Sequence, residues 1–153
     1  MAKRSVLLAI DKSKEAAYAV DWALENLIRP DDQVTLLYVA KSGGLLRSSS
    51  SKKAAEGAAE GKSGLDFLDE AENKLRQNEA IEVHRMVRNG DARAEIVAAA
   101  EEMNASMLIM GSRGATLLKK AHLIGSVSDY CTVNAPCPVT VVKPKAYKNK
   151  DAA

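Results

Sequence analysis

The segment GSRGATLLKKAHLIGSVSDY, residues 111–130, sets glycines among serines and a threonine directly after the apolar run Ser106-Met107-Leu108-Ile109-Met110. Glycine lets a backbone turn sharply and approach a ligand closely, and a Gly-Ser step that opens a helix aims unpaired N–H groups at whatever lies before it. Gly111-Ser112-Arg113-Gly114 suits a tight turn, and Gly125-Ser126-Val127-Ser128 suits the start of a helix, with Ser126 and Asp129 spaced as a capping box. Such a pair of features can cradle a phosphate, or it can simply join a strand to a helix. The spacing fits neither a P-loop, which ends in Gly-Lys-Ser/Thr, nor a dinucleotide fingerprint, whose third glycine lies closer.

Other chemistry-bearing residues are sparse. Asp11 ends the apolar run Val6–Ile10 and could accept from a ligand or cap the following helix. Arg113, Lys119 and Lys120 bring positive charge near the glycines, while His84 and His122 have no second imidazole at metal-ligand spacing. Cys131 and Cys137 are six apart beside Pro136 and Pro138, with no further cysteine to complete a zinc set, and read as reduced cytosolic thiols.

The framework around these residues is set by periodicity. Val6–Ile10 is a continuous apolar run, the mark of a strand covered on both faces. After it, Ala16, Ala17, Val20, Ala23, Leu24 and Leu27 recur at helical spacing, with Ser13 as N-cap and Pro30 beyond the end. Val34–Val39 is a second strand. A helix is marked by Leu65, Leu68, Ala71 and Leu75, a third strand by Ile81–Val87, and a third helix by Ile96, Val97, Ala99, Ala100 and Met103. Residues 106–110 form a fourth strand, residues 126–134 a helix, and Val139–Val142 a fifth strand. Strands alternating with helices imply right-handed crossovers and a parallel sheet, an α/β flavodoxin-like (Rossmann-like) three-layer sandwich of order 3-2-1-4-5. In that order the chain reverses between strands one and four, so the crevice at their carboxyl ends carries Asp11 and Gly111.

Composition narrows the function. The 153 residues fit one domain with a core of its own, here residues 1–145, followed by a disordered tail at 146–153. Residues 41–64, rich in Ser, Gly, Ala and Lys, carry too few large apolar side chains to offset the entropy of ordering and are expected to be a flexible insertion. A formal charge of +2, from 22 basic and 20 acidic side chains, argues against a nucleic-acid surface, and aromatics at 4% leave few platforms for stacking bases. The amino-terminal apolar run is too short for a signal peptide, and no stretch reaches the roughly 20 apolar residues of a membrane span. A cytoplasmic protein without nucleic-acid or membrane partners is expected.

Several segments together, Val6-Leu7-Leu8-Ala9-Ile10-Asp11, Tyr18-Ala19-Val20-Asp21-Trp22-Ala23-Leu24, Gly90-Asp91-Ala92-Arg93, Met110-Gly111-Ser112-Arg113-Gly114, Gly125-Ser126-Val127-Ser128 and Cys137-Pro138-Val139, resemble the universal stress protein family, particularly its plant-type single-domain members. The likeness covers nearly the whole chain except 41–64. It implies a homodimer and binding of ATP or AMP, with Mg²⁺ or Mn²⁺ entering through the nucleotide phosphates. By position, Ala9 and Val39 would line the adenine pocket, and Asp11 would take ribose hydroxyls or help hold a cation. Met110, Gly111 and Gly114 would track the ribose and phosphates, with Arg113 adding charge, while Gly125, Ser126, Val127 and Ser128 would donate to the phosphate chain. The family pattern Gly-x2-Gly-x9-Gly-Ser/Thr is broken at one point, because ten residues, not nine, separate Gly114 from Gly125. In a helix one extra residue would turn the downstream chain by about 100°, whereas a loop would absorb it as a bulge.

His122 lies in the loop, but no obvious water-activating Glu or His faces it, so the resemblance is to a sensor or signalling module in stress response, with at most slow ATP hydrolysis and no catalytic residues. A nucleotide-independent dimeric interaction or chaperone-like protein is the alternative. A phosphoacceptor receiver needs an Asp at the end of strand three, where Arg88-Asn89-Gly90 stands instead. The apolar strand 139–142 at the sheet edge invites pairing with a second copy.

Overall fold

The computed structural model describes residues 2–41, 65–112 and 124–144. The expected insertion at 41–64, apart from Lys41, and the expected tail at 146–153 lie outside the described residues, as do Arg113, Gly114, Lys119, Lys120 and His122.

Among the described residues the order is β1 (Ser5–Ala9), α1 (Lys14–Asn26), β2 (Gln33–Ala40), α2 (Asp66–Arg76), β3 (Glu82–Asn89), α3 (Ala92–Glu102), β4 (Met107–Gly111), α4 (Ser126–Asn134) and β5 (Val139–Val142). All the strand pairs are parallel and the sheet order is 3-2-1-4-5. The expected flavodoxin-like sandwich is therefore the observed one.

β1 is central and buried on both faces, and its alternation divides the core. Val6 and Leu8 face α1 and α2, in a cluster with Ala16, Val20, Leu68 and Ile109. Leu7 and Ala9 face α3 and α4, with Ile96, Ala99, Leu108 and Cys131. A period of two makes this division automatic once the strand is covered on both sides.

Local signals start and stop the elements. The Ser13 hydroxyl accepts from the Ala16 amide at 3.1 Å and caps α1, as its sequence position suggested. β3 runs two residues beyond the expected Val87, because Arg88 and Asn89 still pair with Val39 and Ala40. It ends where Gly90 takes φ +134°, a conformation side chains disfavour, and donates its amide to Ala40 O at 2.9 Å. Asp91 then caps α3, accepting from the amides of Arg93 and Ala94.

The amino ends of the strands are tied by charge. Arg4 grips Asp32 with two nitrogens, at 2.9 and 2.6 Å, and also donates to Leu27 O at 3.0 Å. Asp32, whose side chain is only 4% exposed, accepts further from the Arg29 amide. Burial would raise its pKa, but the Arg4 bond, the Arg29 amide and their charges outweigh burial and hold it below the usual carboxylate range.

Candidate functional site

The carboxyl ends of β1, β2 and β4 gather the apolar members of the expected site. Ala9 pairs with Met110 across one side of β1 and with Leu37 across the other, and Val39 lies two residues beyond Leu37 on the same face. Ala9 and Met110 belong to the α3–α4 side of the core, with Val39 and Val127 packed against it. Four of the expected contact residues thus share one face at one end of the sheet. Asp11 stands at the rim, where its carboxylate accepts the Ser13 amide at 2.8 Å and shapes the turn into α1.

Gly111 sits where the two layers converge. A Cβ there would lie 3.1 Å from the backbone C and O of Glu15 and 3.3 Å from the Ala16 N, so any larger residue would have to push the first turn of α1 back by a few tenths of an ångström as β4 passes under it. Its carbonyl accepts from the Ser128 hydroxyl at 2.8 Å. The next residue, Ser112, is buried and doubly held: its amide donates to Val142 O at 3.0 Å, and its carbonyl accepts the Gly125 amide at 2.8 Å. Gly125 is thereby brought beside the end of β4, although a twelve-residue stretch, 113–124, separates it from Ser112 in the chain.

The capping box expected from Ser126 and Asp129 is not formed. The N-cap of α4 is Gly125, extended at φ −60° and ψ 156°, which has no side chain to cap the first turn, and among the described residues none is seen to replace it. The reason is one of register: the Gly125–Ser112 bond makes Gly125 the last non-helical residue, which places Ser126 inside the helix, where its hydroxyl no longer faces the amide two or three residues on. An N-terminus without a side-chain cap carries partial positive charge and amide donors in its first turn, the arrangement that suits an anion. Ser128, expected to donate to phosphate, has its side chain turned inward to Gly111, so its amide is the group left for a ligand.

The chain has a second concavity of about 160 Å³ between α1 and α2, lined by Ile10, Ser13, Val20, Phe67, Glu70 and Lys74 as well as Asp11. It lies on the opposite face of the sheet from α4 and includes none of Met110, Gly111 or Gly125. It is a groove between two helices that meets the expected site at Asp11.

The roles of Ser112 and of the Arg4–Asp32 pair are not apparent from the sequence. Ser112 lies within the Gly111–Gly114 motif, but its partner Val142 is remote in the chain, and Arg4 and Asp32 share only their position just before a strand. Both cysteines are free; burial pushes the Cys131 thiol up to about 11 and also raises that of Cys137. Among the described residues no cluster of three or more His, Cys, Asp or Glu could hold a metal ion, and no helix is long and apolar enough to cross a membrane.

Known proteins resemble the chain over nearly its whole length. The model of the universal stress protein family matches residues 3–143. The chain is 35% identical to universal stress protein PHOS34 of Arabidopsis thaliana over 93% of its length and 62% of that protein, and 28% identical to universal stress protein YxiE of Bacillus subtilis over 90% and 97%. It spans about three fifths of the length of the first of these relatives. Among solved structures, hypothetical protein MJ0577 superposes with a TM-score of 0.73 at 25% identity, covering 93% of this chain and 96% of that one. A universal stress protein family protein from Arabidopsis thaliana, solved with AMP bound, superposes at 0.68 with 23% identity, over 94% and 93%. The chain belongs to the universal stress protein family.

Proposed function

We propose that the crevice at the carboxyl ends of β1 and β4 binds an adenine nucleotide, ATP or AMP, and that the protein senses or signals in stress response through its occupancy. The observation that carries this reading is the α4 N-terminus, opened by Gly125 without a side-chain cap and held beside Gly111. The base would lie over Ala9 and Val39, the ribose near Asp11 and Met110, and the phosphates before the amides of Ser126, Val127 and Ser128. Arg113 and Gly114 would border the phosphates from the segment between Ser112 and Gly125. Mg²⁺ or Mn²⁺ would arrive with the phosphates, without a protein cage. The AMP-bound relative fits this reading, though that ligand belongs to that protein and the likeness to it is one of fold.

Assembly is proposed to be a homodimer through β5. Pro138 O and Val142 O accept from the Leu108 and Ser112 amides, so by alternation the backbone groups of Val139 and Val141 point away from β4. At the opposite edge, β3 presents Arg85 paired with Asp69 and Glu72, and Arg88 paired with Glu95 and Glu102. Charged side chains guard that edge against pairing, and β5 has no such guard. A cytoplasmic setting is part of the same reading.

The test is calorimetry of ATP with Mg²⁺ on the purified chain and on Gly125→Val, together with mass spectrometry of small molecules released on denaturation. Saturable binding that Gly125→Val abolishes, with circular dichroism unchanged, is the expected result. Equal affinity in the variant overturns the assigned cradle. No binding by the wild-type chain leaves the nucleotide-independent interaction protein, which the ten-residue spacing between Gly114 and Gly125 favours.

A further inference from the structure

Helix α4 has little of its own to hold it in place. It is nine residues long, below the roughly 12–15 at which an isolated helix becomes marginally stable, and only Ser128 and Cys131 among its residues are buried. Val133 is 77% exposed and Tyr130 39%, the latter lying under the Arg93 guanidinium at 5.9 Å. Cys131 packs the middle of the helix against the sheet and the half-buried Val127 packs its first turn, but non-directional contacts of this kind fix the height and rotation of that turn only loosely. A directional bond fixes both. Ser128 stands one turn before Cys131 on the same face, and its hydroxyl reaches the Gly111 carbonyl across seventeen residues of chain.

We propose that Ser128 is a positioning residue: with the Ser112–Gly125 bond it pins the first turn of α4 to the end of β4, so that the length of the intervening segment does not set the geometry of the cradle. The pins form a continuous path. Val142 O holds the Ser112 amide, Ser112 O holds the Gly125 amide, and Gly111 O holds the Ser128 hydroxyl. Gly111 is itself locked in the sheet opposite Val142 and confined by the first turn of α1. Two points three residues apart on one helix turn, Gly125 and Ser128, fix its position and its rotation together. With both points of the turn held by these bonds, a change of one residue between Ser112 and Gly125 is expected not to rotate α4 by the ~100° that a continuous helix would transmit. The consequence for affinity rests on the nucleotide reading above; the pinning itself does not.

The experiment uses the full chain and four variants: deletion of Thr116, which restores a nine-residue spacing, Ser128→Ala, Ser128→Thr, and the deletion combined with Ser128→Ala. The first readout needs no ligand: amide shifts and hydrogen exchange of Gly125 to Asp129 by NMR. The deletion alone is expected to leave them unchanged. Ser128→Ala should speed Gly125 exchange by about tenfold or more, as loss of one buried hydrogen bond implies, and Ser128→Thr should restore it. In the Ser128→Ala background the same deletion should now move the α4 shifts, a coupling that a merely stabilising hydroxyl would not produce. The second readout, ATP–Mg²⁺ affinity, should show the same pattern: within about threefold for the deletion, and weaker by about tenfold for Ser128→Ala. If the deletion alone displaces the α4 amides, segment length sets the helix and the proposal fails. If Ser128→Ala leaves Gly125 protected and the deletion silent, Ser128 is not the pin. Should Ser128→Ala fail to fold, the deletion and an insertion of two glycines after Thr116 in the parent chain decide it by the same shifts. Absence of ATP binding with the expected exchange pattern overturns the nucleotide reading and leaves the pinning standing.

Discussion

The two ends of the parallel sheet are built from different chemistry. At the amino ends, charged side chains are committed to one another: Arg4 to Asp32, and Glu82 to Lys3, Gln33 and His84. At the carboxyl ends of β1 and β4 stand mostly small or neutral groups, Ala9, Met110, Gly111, Gly125 and Ser128, with Asp11 at the rim, and a helix whose N-cap residue is a glycine without a capping side chain. Both ends belong to the same strands, so sheet formation alone cannot explain the contrast. One end closes its polar groups internally and contributes stability; the other keeps backbone donors and close-approach glycines where a ligand could use them, as open α/β sheets generally do.

The contrast is tested most severely at the amino end. Asp32→Ala leaves the Arg29 amide without its acceptor and the Arg4 guanidinium with Leu27 O but no carboxylate in a mostly buried site, and should cost about 2–4 kcal/mol in urea unfolding while nucleotide affinity stays unchanged. A fall in affinity larger than the fall in stability predicts would show that the two ends are coupled. Gly111→Ala is the counterpart at the carboxyl end. The added methyl meets backbone atoms of Glu15 and Ala16, which cannot swing aside, so α1 must shift, at about 1–3 kcal/mol. Here affinity should fall as well, because Gly111 also anchors α4 through Ser128. Unchanged affinity would remove Gly111 from the site.

Acid should weaken the amino end through Asp32 and Glu82, beside a contribution from Asp91, which the Arg93 guanidinium and the first amides of α3 also hold below the usual carboxylate range. Asp32 is held below its ordinary value by Arg4 against the opposing effect of burial, and Glu82 is held down at about 2 by bonds from Gln33, Lys3 and His84. Groups whose folded pKa is depressed contribute stability that is fully present above the unfolded pKa and is lost as pH falls through the folded one. Stability from these groups should therefore be flat from pH 7 to about pH 5 and decline between about pH 4.5 and 2. Urea midpoints measured across that range should fall less steeply in Asp32→Asn; an equal slope would assign acid sensitivity to other groups.

Much of this is legible in the sequence because it is written in periodicity. The continuous run of β1, the stripe of α1 and the bounds of α4 and β5 are local patterns that a core must answer, and Ser13 reads as a cap because its hydroxyl precedes the first apolar position. β3 reads short because an edge strand carries Arg85 and Arg88 among its apolar residues, and only its pairing with β2 extends it to Asn89. Ser126 misleads as a cap because the sequence shows the hydroxyl but not that Gly125 is already bonded to Ser112. Arg4–Asp32 and Ser128–Gly111 join residues 28 and 17 apart, and only the folded topology makes them neighbours.

The smallest effect bears most directly on the division of roles between the helices. Ser13→Ala removes the α1 cap, and the lost bond to the Ala16 amide should cost about 1 kcal/mol. Both α1 and α4 begin at the carboxyl end of the sheet, α1 passing over Gly111 and α4 bonding it, yet only α1 carries a side-chain cap. If the open first turn of α4 is what receives phosphate, then an α1 loosened at its cap, with Gly111 intact, should bind nucleotide as the parent does. Gly111→Ala and Ser13→Ala thus perturb the same helix start in two ways, and calorimetry should find that only the first weakens binding. Equal losses would mean that the α1 N-terminus is part of the cradle, and the division between a capped helix for stability and an open one for the ligand would have to be redrawn.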